Sequence, residues 1–378
     1  MYPYQMQALN KALYPNLVKW VITILLFIFT SNIQSEKSIT KQNIKALYIP
    51  LADHYAAIVA YEKYGTQMKH ANFQIKQMKN WDLLRAYFQN NGADMAYVMS
   101  PLALDMYHEK AHFKWVGLMH RDGNALAIND FLLNKINLAK KRIDRKPDHQ
   151  VANAIKIAHQ NAQRSVEIAL PHLLATHTVI LYKYLKSNHI SLTLKPNNQS
   201  QVLAIAIAPP KSPVFIKIKN RRSQAAAFEQ SLPWADVVET GGFGHIAWYS
   251  KDVLPWENGH VECIALATNK AISAKFNATK EVMFYIQKAG KDIEQARLKG
   301  GEQLNEIVKI IRKHIPAHTK EAIIASLDSK LNVINYKNLN IDKEGLRIIM
   351  DIALEGGILK NKVDINEFSD ERFNINLD

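Results

Sequence analysis

The sequence predicts an α/β protein of two lobes, each a mixed, mostly parallel sheet flanked by helices. Three observations carry that prediction. Short apolar runs alternate with helical runs from Ile44 onward, and the same alternation starts afresh after a turn at Arg121–Asn124. The chain has 378 residues, more than one core fills, since single cores stop growing at roughly 250–300 residues.

The first set runs strand, helix, strand, helix, strand: IKALYIPL from Ile44, DHYAAIVAYEKYG from Asp53, ANFQIKQM from Ala71, NWDLLRAYFQNNG from Asn80 and ADMAYVMS from Ala93. Asp53 and Asn80 stand where N-caps accept backbone N–H bonds, Gly65 and Gly92 where a left-handed residue ends a helix, and Pro101 in a first helical turn. Strands joined by such helices run parallel. A fourth strand, FKWVGLM, ends near His120, and RDGNALAIND reads as a turn feeding a new strand. The second set comprises helical KIAHQNAQ, strand VEIALP, helix THTVILYKYLKSN, strand QVLAIAIAPP and helical KSPVFIKIKN. Beyond PWADVVETGG come the β-like HIAWYS and VECIALATN, then long helices at 277–300, 303–314 and 343–356.

Hydrophobic residues make up 48% and charged residues 22%, which excludes disordered and polytopic membrane classes. A formal charge of +14 favours anionic ligands or acidic surfaces, or serves solubility alone. With one cysteine, Cys263, no intramolecular disulfide, Cys-based zinc site or CxxC pair exists. Residues 1–35 carry no Asp or Glu, and Lys11 and Lys19 precede the apolar run Trp20–Phe29, half of what a bilayer crossing needs. This layout predicts a signal peptide cleaved after Ser35 and a periplasmic, exported protein; the rival is an uncleaved segment anchoring the chain in the inner membrane.

Motifs that carry chemistry are sparse. His108-Glu109-Lys110-Ala111-His112 fits HExxH, but it sits where a helix runs into a strand and has no third ligand in view, so a solvated helix end explains it better than a zinc protease. No GxSxG occurs, and Cys263 lies in a β-like run as a buried, inert thiol. Gly241-Gly242-Phe243-Gly244 follows a helix rather than a strand and reads as a cap and turn. The basic clusters at 140–142 and 221–222 lack interleaved aromatics, so nucleic acid is not expected as a partner. No catalytic residue, metal ligand or cofactor is expected.

Taken together, YIPLADH at Tyr48–His54, WDLLR at Trp81–Arg85 and GADMA at Gly92–Ala96 resemble the first lobe of the nitrate-, bicarbonate-, sulfonate- and thiamine-precursor-binding proteins of ABC importers, which are type II periplasmic binding proteins. Arg121–Ala125 resembles the family's N-G-Q-A stretch, and Thr176-His177-Thr178 with Tyr184-Leu185 resembles its S-x-H-N…W-L helix. Pro209-Pro210, Pro233-Trp234 and the Val363–Phe373 stretch extend the resemblance over most of the chain.

The resemblance implies two lobes with a ligand cleft between them: residues 44–121 with 236–378 as a discontinuous first lobe, and 122–235 as the second. It further implies a monomeric, non-enzymatic binding protein that captures a small anionic solute by cleft closure and delivers it to an ABC permease and ATPase in the inner membrane. Ligand contacts carried over are Trp81, walling the cleft, Gly123 and Asn124, lining the second lobe, and His177, donating a hydrogen bond. Alternatives are a membrane-tethered sensory or orphan binding module and a binder of a thiamine pyrimidine precursor. Departures bear on specificity: Leu232 replaces the family's acidic residue, Ala226-Ala227 its Asp-Gly, Asn124 its Gln and Ala175 its Ser.

Overall fold

The computed structural model describes residues 40–197 and 199–377, so the expected signal peptide and its cleavage at Ser35 lie outside the described residues. Lys41–Asp378 form one compact unit. Its strands are β1 (Gln42–Tyr48), β2 (Ala71–Gln77), β3 (Met95–Met99), β4 (Phe113–Leu118), β5 (Arg121–Asp122), β6 (Asn124–Ile128), β7 (Val166–Leu170), β8 (Leu192–Thr193), β9 (Val202–Ala206), β10 (Ala226–Ser231), β11 (His245–Tyr249), β12 (Cys263–Thr268) and β13 (Ile334–Asn335).

Two main sheets result. The first has the order β2-β1-β3-β12-β4, with β1, β2 and β3 parallel and β12 antiparallel to both β3 and β4. The second has the order β11-β6-β10-β7-β9-β8; β10, β7, β9 and β8 are parallel, while β6 runs antiparallel to β10 and β11. The chain leaves the first sheet after β4, builds the second, and returns as β12. This is the expected fold class: two lobes of mixed, mostly parallel sheets flanked by helices. β11 begins beyond residue 236, where the first lobe was expected to resume, yet it pairs with β6.

Local signals explain most elements. Asn80 accepts from the Leu83 N–H, and Trp81, Leu84 and Phe88 bury one face of the helix Trp81–Gln89. Pro101 occupies the first turn of the helix Ser100–Glu109. Three cap expectations are corrected. Gly65 keeps right-handed torsions (φ −54), and near Gly92 it is Asn91 that takes the left-handed turn (φ 58), as an asparagine tolerates it. Asp53 caps no helix, because its carboxylate is drawn away to Ser231.

β10 has no counterpart among the expected elements. Its sequence, AAFEQS, lacks β-branched residues, and all six residues are buried because β6 and β7 flank it on both sides. Where the chain crosses between the main sheets, β5 pairs with β13, and an antiparallel bridge joins Arg121 to Val261. Arg121, 1% exposed, pins this crossing by donating to Gly259 O, Asn338 O and Asp342 Oδ2. No helix of the described residues is long and apolar enough to cross a membrane.

Candidate solute-binding site

Between the two sheets lies a group of polar side chains that water does not reach. Asp53 follows β1, His120 follows β4, Glu262 immediately precedes β12 and Cys263 begins it; all four are fully buried. His177 is the second residue of the helix Thr176–Ser187, whose apolar face packs into the second lobe, and Glu229 and Ser231 share one face of β10. Each supporting element is fixed by ordinary packing, so the polar atoms meet in a preset geometry.

The contacts form one network. His120 Nε2 lies 3.0 Å from Glu262 Oε2 and 3.5 Å from Asp53 Oδ1. Ser231 Oγ donates to Asp53 Oδ2 at 2.9 Å and faces His177 Nε2 at 2.9 Å. His177 Nδ1 is 3.4 Å from Glu262 Oε1, and Asn124 Nδ2 is 3.5 Å from the same oxygen. Thr176 Oγ1 donates to Glu262 O. His54, held at Ile49 through Nδ1, brings Nε2 to 3.2 Å from Cys263 Sγ and packs its ring against Trp81. Asp53 and Ser231 therefore tie the first lobe to the second across this network.

Burial sets the protonation. For His120 burial opposes the charge, but the carboxylates of Asp53 and Glu262 outweigh it and lift the imidazole to about 10. Burial likewise works to raise Asp53, yet His120 holds it below the usual carboxylate range. Burial and the nearby Asp53 charge push Glu262 up to about 7. His177 is lowered to about 3 and His54 to about 4, burial being the main cause in both. Burial also drives Glu229 well above its ordinary value, reinforced by Glu262.

Several acceptors have no donor. Both carboxyl oxygens of Glu229, Oε1 of Gln230, Oδ1 of Asn124 and Oδ1 of Asp53 are buried without a hydrogen-bond partner. Leaving such groups unmade costs about 1–3 kcal/mol each, so a cluster of them marks a place where something else belongs. The lining thus offers three buried carboxyl groups, Asp53, Glu229 and Glu262, against one charged imidazole. That lining is rich in acceptors rather than in negative charge, since burial favours the protonated form of Glu229 and Asp53 is paired with His120.

Of the residues expected from sequence, His177 and Asn124 reach Glu262, and Gly123 stands beside His120. Gly123 has φ +95, and a Cβ there would approach Cε1 and Nδ1 of His120 at 3.0 Å, so glycine both permits the turn and makes room for the imidazole. Trp81 lies against His54, 1% exposed, with its Nε1 unpartnered. Leu232 and Ala226, which depart from the family pattern, are fully buried. Asp53, His120, Glu229, Ser231 and Glu262 were not anticipated as site residues, and Cys263 was read as inert. His108 and His112 share no network with one another or with this site: the helix ends at Glu109, which pairs with Arg85.

Comparison with known proteins agrees with this architecture. The described sheets superpose on a Staphylococcus aureus ligand-binding component of an ABC-type import system with zinc bound (18% identity, 88% of this chain and 98% of that one, TM-score 0.66). They match the periplasmic nitrate-binding protein NrtA of Synechocystis PCC 6803 with a TM-score of 0.72 at 15% identity, over 88% and 87% of the two chains. The alkanesulfonate-binding protein SsuA of Xanthomonas axonopodis pv. citri, bound to MOPS, aligns at 9% identity and TM-score 0.62 over 87% and 99%. At these identities the likeness is one of fold. No curated protein matches the chain by sequence. The NMT1-like family model matches residues 38–311, most of the length, and on that match the chain belongs to the NMT1-like family.

Proposed function

We propose that the chain is the solute-binding subunit of an ABC importer, which encloses a small solute between its two lobes and releases it unchanged to a permease and its ATPase. The family membership, the fold shared with import-system binding proteins, and the position of the buried polar network between the sheets support this reading. In it, the lobes are residues 44–121 with the chain after β11, and the segment from Asp122 through β11. Export to the periplasm is supported by the charge and apolar pattern of the first thirty-five residues.

Glu229 carries the choice of solute class. A buried carboxyl with both oxygens unpartnered, on the strand face it shares with Ser231 and, across the ladder, Asn124, asks for a ligand rich in N–H donors. A small organic cation or an amino-substituted heterocycle meets that demand; Trp81 and His54 supply the apolar wall and His177 a polar contact. The second reading, an anion, rests on the charged His120, the net charge of +14 and the fold shared with nitrate- and alkanesulfonate-binding proteins.

Thermal melts with a solute panel separate the two readings. A ligand at a hundred times its dissociation constant adds about 2.7 kcal/mol, a shift of several degrees. The panel comprises nitrate, bicarbonate, an alkanesulfonate, an aminopyrimidine and a small protonated amine, each against chloride at matched ionic strength. A shift with the amine or aminopyrimidine, lost in Glu229→Gln, is the expected outcome. A shift with nitrate or sulfonate alone overturns the cationic class, and no shift from any solute, with nothing co-purifying by native mass spectrometry, overturns the binding role. Recovery of the chain in the membrane fraction with Met1 attached would favour a tethered module over a periplasmic one.

A further inference from the structure

We infer that Asp53, His120, Glu262 and Cys263 form a binding site for a divalent transition-metal ion of the zinc, cobalt or iron type at the junction of the two lobes. One donor atom from each of the four residues lies within 4.8 Å of all the others, and all four residues are buried. In a tetrahedral site with metal–ligand distances of about 2.0–2.3 Å, neighbouring donors stand roughly 3.3–3.8 Å apart. His120 Nε2 is already 3.5 Å from Asp53 Oδ1 and 3.0 Å from Glu262 Oε2. Side-chain shifts of about an ångström convert the present contacts into a coordination shell.

The donor set selects the kind of ion. Two carboxylates, an imidazole and a thiol mix hard and soft ligands; calcium and magnesium take oxygen alone, whereas the later first-row divalent ions accept nitrogen and sulfur. A second observation points to a missing partner: Asp53 Oδ1 is buried, aimed into the cluster, and met only by His120 Nε2 at a long 3.5 Å. The outer contacts are those that steady metal ligands. Ser231 Oγ holds Asp53 Oδ2, His177 faces Glu262 Oε1, and His54, anchored at Ile49, faces the thiol of Cys263. On binding, the ion replaces the proton that His120 shares with the carboxylates, and the thiol gives up its proton to solvent. Glu229 keeps both oxygens free for a solute beside the ion, so the metal site stands or falls independently of which solute the cleft takes.

The test uses the full chain, dialysed against a chelator and titrated with cobalt(II) without added solute. Coordination by a thiolate gives an intense sulfur-to-cobalt charge-transfer band in the near ultraviolet and strong visible bands of a tetrahedral ion, bleached when zinc is added. Because the chain has a single cysteine, that band identifies the site by itself, whether or not a variant folds. Cys263→Ser should abolish the band, and His120→Gln and Asp53→Asn should each weaken cobalt binding by more than tenfold while circular dichroism stays native. A charge-transfer band that persists in a folded Cys263→Ser protein, or a folded wild-type protein showing neither band nor zinc-dependent melting shift, overturns the proposal.

Discussion

Two regions of this molecule each bring together two histidines and a glutamate, and only one of them is buried. At His108–His112 the residues are neighbours in sequence and fit a familiar spacing, yet the helix that would align them stops at Glu109, and Glu109 is engaged by Arg85 at the surface. At the lobe junction His120, His177 and Glu262 are far apart in sequence, belong to no motif, and meet within 3.4 Å with water excluded. The difference lies in desolvation. A surface carboxylate is screened and interchangeable, whereas a buried one must be matched by specific partners or left at a cost.

The sharpest way to break this contrast is to remove Asp53. Asp53→Ala leaves the His120 charge buried with Glu262 alone and is expected to cost about 3–5 kcal/mol, read as a large fall in the denaturant midpoint. Glu109→Ala should cost at most about 1 kcal/mol. Equal costs would mean that the junction network is no more than a surface pair.

Glu229 sharpens the comparison in the opposite direction. Since its carboxyl has no partner, Glu229→Leu should raise the stability of the solute-free protein by about 1–3 kcal/mol while abolishing the melting response to solute. A destabilised variant would show that the carboxyl is satisfied after all.

Acid provides a third test. His318 packs against Trp234, faces Tyr55 Oη at 2.8 Å, and is held down to about 3 mainly by burial. The folded protein therefore leaves His318 neutral where the unfolded chain protonates it, near pH 6.5. Between about pH 6.5 and 3 the unfolded state binds the extra proton, so stability falls as pH falls through this window, by roughly 1 kcal/mol per pH unit for each such histidine. His54 and His177 act in the same sense. His318→Gln should flatten the slope of melting temperature against pH over this range; an unchanged slope would mean that His318 is protonated in the folded state.

The smallest effect belongs to the motif itself. His108→Ala, at an exposed helix end, should change stability by no more than about 0.5 kcal/mol and leave both solute and cobalt titrations untouched. Any loss of cobalt binding there would restore the HExxH reading.

Sequence disclosed what is local. The cap at Asn80, the Pro101 start and the alternating runs of the first sheet need only neighbouring residues to act, and each appears where expected. Apart from the C-caps at Gly65 and Gly92, what failed was what depends on distant chain. Asp53 looked like a cap because nothing in its neighbourhood shows that Ser231, 178 positions later, will claim its carboxylate. AAFEQS did not look like a strand because its β character comes from β6 and β7 on either side, and with it went Glu229 and Ser231. His120, Glu262 and Cys263 stood at the ends of visible strands, yet their meeting depends on the long excursion through the second sheet. Only Trp81, Gly123, Asn124 and His177 were named, through resemblance rather than through their own chemistry.

The crossing segments that carry His120 and Glu262 hold one more implication. Arg121 and the β5–β13 ribbon clamp the chain there, so a parting of the lobes, as the proposed function requires, would turn about this line as a fulcrum. Points on an axis of rotation barely travel. Of the network, His120, Glu262 and Cys263 would keep their mutual spacing if the lobes of the proposed binding protein opened, while the Asp53–Ser231 link, which bridges the lobes, would have to part. Such a molecule would open like a pair of tweezers whose grip is set at the tips and whose charge is kept at the rivet.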